Sequence, residues 1–270
     1  MAFMRWQVLD ADPVDVFDVL RTERDELIQL LASLGPAAWS ADTDCPGWQV
    51  RDIAAHLLHD DLRLLAHLRD GHRGGWFEGP VAELGPWLHA RNQAFVSGTS
   101  DLSSALLVEL LAWTGARLDA VYASRDPRAL DDGVAWAVPD GPAPNWLGTG
   151  REYTERFAHQ NQIRRAVGVA ELGAEQWLGR ALDIWHWCLP VALCDRVGSV
   201  MVSTTEPERT WRLVDGRFVD SLDAPDATLT VSARVLAAVW TDAPGAALGE
   251  DSHGDPALLE ALALARAIIV

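Results

Sequence analysis

The spacing of apolar residues changes once along the chain, near Gly198, and this change constrains the fold more than any other feature of the sequence. Before Gly198, long segments repeat their apolar residues at intervals of three and four, which is the pattern of an amphipathic helix. After Gly198, short runs alternate between apolar and polar residues, which is typical of β-strands. The sequence therefore predicts a two-domain α+β protein, with a helical bundle over residues 1–197 and a small α+β domain over residues 198–270.

The helices of the first part are expected where apolar stripes are bounded by turn-forming residues and prolines. Segment 150–168 is the clearest, because it has glycine at both ends and no internal proline. Pro190 should kink or shorten the last of these helices, since proline lacks the backbone N–H that a helix interior uses. The predicted helices cover about residues 12–34, 49–71, 81–95, 100–123, 150–168 and 174–197.

Four short strands are predicted after Gly198, with Asp215-Gly216 as a hairpin turn between the second and the third. They cover about residues 200–203, 210–214, 217–219 and 227–231. Two further helices, over about residues 233–241 and 256–267, are expected to close the chain.

The charge balance narrows the range of partners. The chain has 22 Lys and Arg against 39 Asp and Glu, a formal net charge of −17, and this argues against nucleic acid and anionic membranes as partners. No run of 18 apolar residues is present to span a bilayer, and the first residues lack the apolar centre of a signal peptide. The three cysteines match no zinc-binding pattern. We expect a reduced, cytoplasmic protein that is a monomer or a homodimer.

Segment 150–168 carries two residues that suggest a metal site. Glu155 and His159 are four residues apart, so a helix places both side chains on one face, about one turn from each other. A carboxylate oxygen and an imidazole nitrogen at this spacing can hold one divalent metal ion, provided that a third ligand comes from elsewhere in the fold.

The best candidate for the third ligand is His56, which follows a well-marked helix start. His59, Asp60 and His67 lie on the same predicted helix, and spacing alone does not choose among them. Two histidines and one glutamate leave a coordination position open on the metal, which is typical of catalytic rather than structural sites.

Simpler interpretations exist for the same residues. A Glu–His pair such as Glu155 and His159 often forms only a surface hydrogen bond, and a lone histidine beside an apolar stripe, such as His56, is often a core residue. Cys45 is a further candidate for a reactive thiol, although no base stands beside it in the sequence. Four tryptophans expected in loops are candidates for the wall of a ligand pocket: Trp39, Trp48, Trp76 and Trp146.

Three groups of residues resemble the mycothiol-dependent maleylpyruvate isomerase family. The first is Trp39 with residues 43–48 (TDCPGW) and 50–57 (VRDIAAHL), and the second is Glu155-x-x-x-His159 with residues 163–168 (IRRAVG). The third and least specific lies in the C-terminal part, and it comprises residues 211–213 (WRL), 227–231 (ATLTV) and 254–256 (GDP). The resemblance implies a DinB-like, metal-binding four-helix bundle followed by a small α+β domain.

The resemblance also implies a ligand set and a cofactor. The metal of the family, usually zinc, is held by two histidines and one glutamate, which correspond here to His56, Glu155 and His159. The metal binds the thiol of mycothiol, a sugar-based thiol of low molecular weight. The family commonly has an acid three residues after the second histidine, where this chain has Gln162. Its C-terminal domain supplies an arginine to the site, for which Arg212 and Arg217 are candidates.

A thiolate can add to an electron-poor double bond, and elimination after rotation gives the trans isomer, whereas stopping at the adduct is S-transfer. We therefore interpret the chain as a metal-dependent enzyme that uses mycothiol for isomerisation or S-transfer on a small electrophile such as maleylpyruvate. Two alternatives stay open: a non-catalytic protein that binds a small molecule or a partner, and a metallo-hydrolase of thiol conjugates. The hydrolase would need a general base, for which Asp60 and Glu152 are the candidates.

Overall fold

The computed structural model describes residues 7–74, 77, 79–139, 141–173, 175–249 and 251–267. The chain divides into two compact units. The bundle unit consists of residues 16–126 and 155–171, and the sheet unit consists of the residues up to 15, residues 127–154 and the residues from 172 onward. Helices dominate the N-terminal part and a small sheet forms near the C-terminus, so the predicted α+β class is confirmed.

The bundle unit is built from helices whose apolar stripes the sequence predicted. A π-helical turn, Leu65–Arg69, continues α3 and accounts for the rest of the helix predicted to end near residue 71. The start of α3 is secured by a reciprocal cap, in which the backbone N–H of Gln49 donates to the carboxylate of Asp52 at 3.0 Å. The helices are α1 (Phe17–Ser33), α2 (Pro36–Trp39), α3 (Val50–Leu64), α4 (Val81–Gly98), α5 (Ser104–Ala123) and the end of α6 (Asn145–Ala166).

One apolar core holds these helices together. Every helix of the unit contributes buried members to it, and those that are 0–1% exposed include Leu27, Leu31, Ile53, Leu57, Leu107, Leu111 and Ile163. Burying one such side chain contributes roughly 1.5–3 kcal/mol. Since Ala55 and Leu57 on either side of His56 are fully buried, the core fixes the rotation of α3 around that histidine.

The sheet unit places short helices beside a five-stranded sheet. The strands are β3 (Ser199–Thr205), β4 (Arg209–Val214), β5 (Arg217–Phe218), β6 (Ala227–Ser232) and β7 (Ser252–Gly254), and their order across the sheet is β5-β4-β3-β6-β7. Of the four strand pairs described in this sheet, β3–β6 is parallel and the other three are antiparallel. The helices are the start of α6, α7 (Arg180–Trp185), α8 (Cys188–Ala192), α9 (Ala233–Trp240) and α10 (Pro256–Ala263), and a hairpin of β1 (Leu130–Asp131) and β2 (Ala143–Pro144) precedes them.

The four strands predicted after Gly198 are confirmed, and so is the turn between β4 and β5. Asp215 and Gly216 adopt φ values of 50° and 71°, the left-handed conformation that a tight hairpin turn requires. β7 was not predicted, because its three residues are partly or fully exposed and show no alternation of apolar and polar side chains.

Two predicted helix boundaries are wrong for identifiable reasons. Helix α6 begins at Asn145, so Gly150 lies inside it rather than at its end. A Cβ at Gly150 would come within 2.5 Å of Cδ1 of Ile184, so close packing rather than helix termination accounts for the glycine. The helix predicted over residues 174–197 is a π-helical turn, Glu175–Gly179, followed by α7 and α8. The break before α8 matches the absent N–H of Pro190, which cannot bond the carbonyl of His186.

The two compact units interleave along the chain, whereas the predicted domains at 1–197 and 198–270 follow one another. The prediction that residues 1–197 and 198–270 fold independently of each other stays a prediction. Among the helices of the described residues, none combines the length and the apolar character needed to cross a bilayer.

Candidate metal centre

Two helices of the bundle unit bring the three predicted ligands together. His56 lies in the middle of α3, while Glu155 and His159 lie one turn apart on α6. One possible ligand atom from each of these residues lies within 4.8 Å of the others. His56 and His159 are 3% and 7% exposed, so the cluster lies at the edge of the core rather than on an open surface.

The distances inside the cluster suit a divalent cation. Glu155 Oε1 lies 3.4 Å from Nε2 of His56 and 3.2 Å from Nε2 of His159. Two ligand atoms of a tetrahedral zinc ion, each bound at about 2.0 Å, are themselves about 3.3 Å apart. The two imidazole rings meet edge to face at 4.8 Å, so their nitrogens converge without stacking. Two nitrogens and one carboxylate oxygen therefore fit a metal such as zinc.

The cluster keeps Glu155 ionised. Burial by itself would raise the pKa of its carboxyl group, but hydrogen bonds and charge interactions with His159 and His56 hold that pKa well below its usual range. For His159, burial lowers the pKa of the imidazole, and the contact with Glu155 outweighs this and raises it. The pair thus stabilises a carboxylate beside nitrogens that can exchange a proton for a metal ion.

Gln162 sets the orientation of His159. The amide oxygen of Gln162 lies 2.7 Å from Nδ1 of His159, and an amide oxygen only accepts hydrogen bonds. Nδ1 therefore donates its proton to Gln162, and Nε2, which lies beside Glu155, is the nitrogen that can release its proton to bind a metal. The amide takes the place of the acid that the family resemblance led us to expect here, and it still provides the acceptor.

The surroundings of His56 are aromatic and acidic. The ring of Trp48 lies 5.2 Å from that of His56, and Oδ2 of Asp60 lies 3.5 Å from its Nε2. Nδ1 of His56 is buried and has no hydrogen-bond partner within the described part of the chain. Asp60, predicted as a neighbour of the site or a substrate contact, therefore lies directly beside it.

The other histidines of this segment lie apart from the cluster. His59 stacks on Phe95 of α4 with ring centroids 4.4 Å apart, and burial lowers the pKa of its imidazole. His67 is buried within the π-helical turn. Among the histidines on this helix, His56 is the one with a possible ligand atom within 4.8 Å of those of Glu155 and His159, and its role as a ligand stays a prediction.

The remaining predicted residues belong to the sheet unit or to the core. Glu152 and Arg212 both belong to the sheet unit, where Glu152 is buried and pairs with Arg151, and Arg212 lies on β4 opposite Met201 of β3. Trp39 and Trp146 lie in helices rather than in loops, and both are buried. Trp76 lies outside the described residues.

Cys45 is buried, and it is a poor nucleophile in this environment. Burial, together with the nearby charges of Asp44 and Glu155, raises the pKa of its thiol to about 11. At neutral pH the group is almost entirely a thiol, and a thiol is a weak nucleophile.

A buried network of charges next to the cluster was missed in the sequence. Arg156 donates to the carboxylates of Glu23 and Asp61, and all three side chains are 0–3% exposed. A signal was present, because Glu23 and Arg24 interrupt the apolar stripe of α1 between Leu20 and Leu27. Charged residues at core positions are expected to pair with each other.

The sequence model of the family described as mycothiol maleylpyruvate isomerase N-terminal domain matches residues 20–164, a span that includes all three residues of the cluster. Two uncharacterized proteins of Mycobacterium tuberculosis, from strains CDC 1551 / Oshkosh and ATCC 25618 / H37Rv, are each 31% identical to the chain over 162 residues. The chain spans 59% of the length of these curated relatives, and the match covers 59% of the chain itself.

Two crystal structures share the fold. They are those of the mycothiol-dependent maleylpyruvate isomerase and of a histidine-to-alanine mutant of it. Each superposes with a TM-score of 0.50 at 12% identity, over 83% of this chain and 86% of the other. The similarity of fold and the family match over more than half of the sequence confirm the resemblance found in the motifs, and the chain belongs to the mycothiol maleylpyruvate isomerase N-terminal domain family.

Proposed function

We propose that His56, Glu155 and His159 bind a divalent metal, zinc by preference, and that the protein uses mycothiol there to isomerise or conjugate a small electrophile. The observation that carries the proposal is the convergence of two imidazole nitrogens on one carboxylate oxygen at 3.2 and 3.4 Å. Three protein ligands leave room for an exogenous group, as in catalytic zinc sites. Membership of the family supports mycothiol as that group.

The metal would lower the pKa of a thiol bound to it, so that a thiolate is available at neutral pH. The protein side chains have separate tasks. His159 is held by Gln162 in the tautomer that presents Nε2, and Glu155 contributes one negative charge to the ligand set. Asp60, whose Oδ2 lies 3.5 Å from Nε2 of His56, is the carboxylate that we assign to accept the thiol proton.

The reaction follows from the thiolate. Its sulfur adds to one carbon of a double bond conjugated to a carbonyl, and the electron pair of that double bond moves to the carbonyl oxygen. Rotation about the new single bond and loss of the same thiolate give the trans isomer with no net change in composition. If the enolate instead takes a proton, the product is the thioether adduct, which is S-transfer.

The thiol has to come from outside the chain. Cys45 lies close enough to Glu155 for the charge of the carboxylate to act on its thiol, but its pKa of about 11 leaves almost no thiolate at neutral pH. This observation supports a low-molecular-weight thiol as cosubstrate, and it argues against a covalent enzyme intermediate on cysteine.

Calorimetry and product analysis test the proposal. We expect zinc-loaded protein to bind mycothiol, chelator-treated protein not to bind it, and maleylpyruvate incubated with both to give the trans isomer or a thioether by NMR. Mycothiol binding with no turnover of several such electrophiles would favour a non-catalytic binding protein. Release of free thiol from a mycothiol conjugate would favour the hydrolase instead, with Asp60 as the base. Absence of zinc from the reconstituted protein would contradict the metal site itself.

A further inference from the structure

We propose that Arg156 is a positioning residue for the metal site, because it ties α6 to α3 and thereby holds Glu155 and His159 opposite His56. The inference rests on the proposed metal site. Arg156 follows Glu155 directly in the sequence, but its side chain points away from the cluster and into the core, where it is 3% exposed.

Arg156 connects three helices through charged hydrogen bonds. Its Nε donates to Oε2 of Glu23 on α1 at 3.1 Å, and its Nη1 donates to Oδ1 of Asp61 on α3 at 3.0 Å. Asp61 is held in turn by the hydroxyl of Thr114 on α5, which donates to its Oδ2 at 2.6 Å. The guanidinium group is planar and presents its donors in a fixed fork, so these contacts restrict direction as well as distance.

The position of Arg156 along α6 explains why it can control the site. Arg156, Gln160 and Arg164 recur every four residues and form one buried polar stripe. In the amide orientation that satisfies its surroundings, Gln160 donates to Oε1 of Glu23 at 2.6 Å. Glu155 and His159 precede this stripe by one residue, which is about 100° around the helix. Anchoring the polar stripe therefore fixes the direction in which the metal-binding stripe points.

The contact between Arg156 and Asp61 joins the same two helices that carry the ligands. His56 and Asp61 both lie on α3, and Arg156 lies on α6 beside Glu155. A small sliding or rotation of α6 against α3 would separate Glu155 from His56 without exposing much apolar surface, because an apolar interface has little directional preference. The directional ion pair resists this movement.

A merely stabilising role for the network predicts something different. Replacing a buried ion pair as a whole by uncharged residues is often neutral or stabilising, whereas removing one partner leaves an unpaired buried charge. If Arg156 serves only stability, a folded variant without the network should bind metal normally. If Arg156 positions the ligands, the same variant should keep its fold and lose metal affinity.

The test uses the whole chain with the three substitutions Glu23→Gln, Asp61→Asn and Arg156→Met. Arg24, which lies 3.8 Å from Asp61, keeps Asp119 as its partner at 2.6 Å in this variant. We expect the metal-free variant to unfold within a few degrees of the natural protein and to bind zinc about 10- to 100-fold more weakly, the range found when residues that support metal ligands are changed. The readouts are zinc competition with a chromophoric chelator and the absorption spectrum of the cobalt-substituted protein, whose visible bands report ligand geometry.

Arg164→Met is the matched control. Arg164 lies on the same stripe of α6 and is 8% exposed, but none of its described hydrogen bonds reaches α3: they run to Glu26 of α1, to the carbonyl of Ala170 and, in the amide orientation above, to Gln160. We expect its zinc affinity and cobalt spectrum to match those of the natural protein. Arg156→Lys keeps the positive charge but removes the planar guanidinium group with its fixed set of donors. This variant should lose part of the zinc affinity, and it tests the inference even if the triple variant does not fold.

The outcomes separate this inference from the proposed function. Failure of the natural protein to bind zinc would contradict the metal site, and the inference with it. Suppose instead that the natural protein binds zinc and that the folded triple variant binds it with an affinity within twofold of the natural value. That result would overturn the positioning role alone. If the triple variant does not fold, the same result in Arg156→Lys would overturn it.

Discussion

The amide oxygen of Gln162 lies 2.7 Å from Nδ1 of His159, one turn earlier on the same helix. This contact places a proton on Nδ1 and leaves Nε2, which lies close to Glu155, as the nitrogen available to a metal. A neutral amide fixes the tautomer as a carboxylate would, but it adds no negative charge. The contact predicts how two substitutions at this position will differ.

Gln162→Ala should weaken zinc binding by roughly 10- to 100-fold, because the imidazole loses the acceptor that orients it. Gln162→Glu should retain or increase the affinity, since a carboxylate accepts the same hydrogen bond and raises the basicity of the ring. Zinc competition assays on the two variants and the natural protein check this. Equal affinity in all three would show that the 2.7 Å contact does not orient the ligand.

The three ligands should act as one unit. His56→Ala, Glu155→Ala and His159→Ala should each reduce bound zinc from about one ion per chain to a trace and abolish thiol-dependent turnover. Combining any two should add little, because a site that has lost one of three ligands already holds the ion poorly.

Elemental analysis and melting curves of these variants decide between a ligand and a packing role. The controls are His67→Ala, which removes a buried histidine of the bundle unit, and His253→Ala, which removes an exposed one on β7. Both should keep their zinc. Normal zinc content in the His159 variant, with only a fall in stability of about 1 kcal/mol, would indicate an ordinary core residue.

Cys45 should be dispensable for turnover. Burial raises the pKa of its thiol to about 11, so only about one molecule in ten thousand carries the thiolate at pH 7. We expect Cys45→Ala to keep mycothiol-dependent activity and zinc content, and we expect iodoacetamide at pH 7 to leave Cys45 unmodified by mass spectrometry. Loss of activity with zinc still bound would show that this thiol takes part in the chemistry.

Protonation of His186, which lies in the sheet unit, should lower the free energy of unfolding in acid. Its ring stacks on Trp211 at 5.6 Å, and burial lowers the pKa of the imidazole to about 4. The unfolded chain binds the proton with an ordinary pKa near 6.5. The contribution of neutral His186 to the free energy of unfolding is therefore complete above pH 6.5, and it is lost as the pH falls from 6.5 toward 4.

Urea unfolding at pH 7 and pH 4.5 measures this contribution. The loss of unfolding free energy between the two pH values should be smaller in His186→Phe than in the natural protein by on the order of 1–2 kcal/mol, since the aromatic contacts remain and the titration is gone. His253→Phe, at an exposed position, should lose as much as the natural protein. The same acid dependence in His186→Phe would contradict the assignment.

Local sequence patterns determined the secondary structure of most of this chain. Apolar spacing at three and four residues defines the stripes of α1, α3 and α5, and alternation defines β3, β4 and β6, because each of these patterns depends only on the geometry of one element. The pairing of Glu155 with His159 is local in the same way, since four residues make about one helical turn. The motifs around both segments also led to the family that the comparisons confirmed.

Tertiary structure decided what lies between elements. The grouping of His56 with Glu155 and His159 depended on how α3 packs against α6, because His56, His59, Asp60 and His67 all lie on the same predicted helix and its sequence does not show which of them approaches Glu155. The need for glycine at position 150 depended on the approach of Ile184, because a Cβ there would come within 2.5 Å of its Cδ1, and this is a long-range contact. The ion pairs of Arg156 bring Glu23 and Asp61 to it from two other helices. Glu23 and Asp61 are 133 and 95 residues away from Arg156 in the sequence, so no local pattern could identify them as its partners.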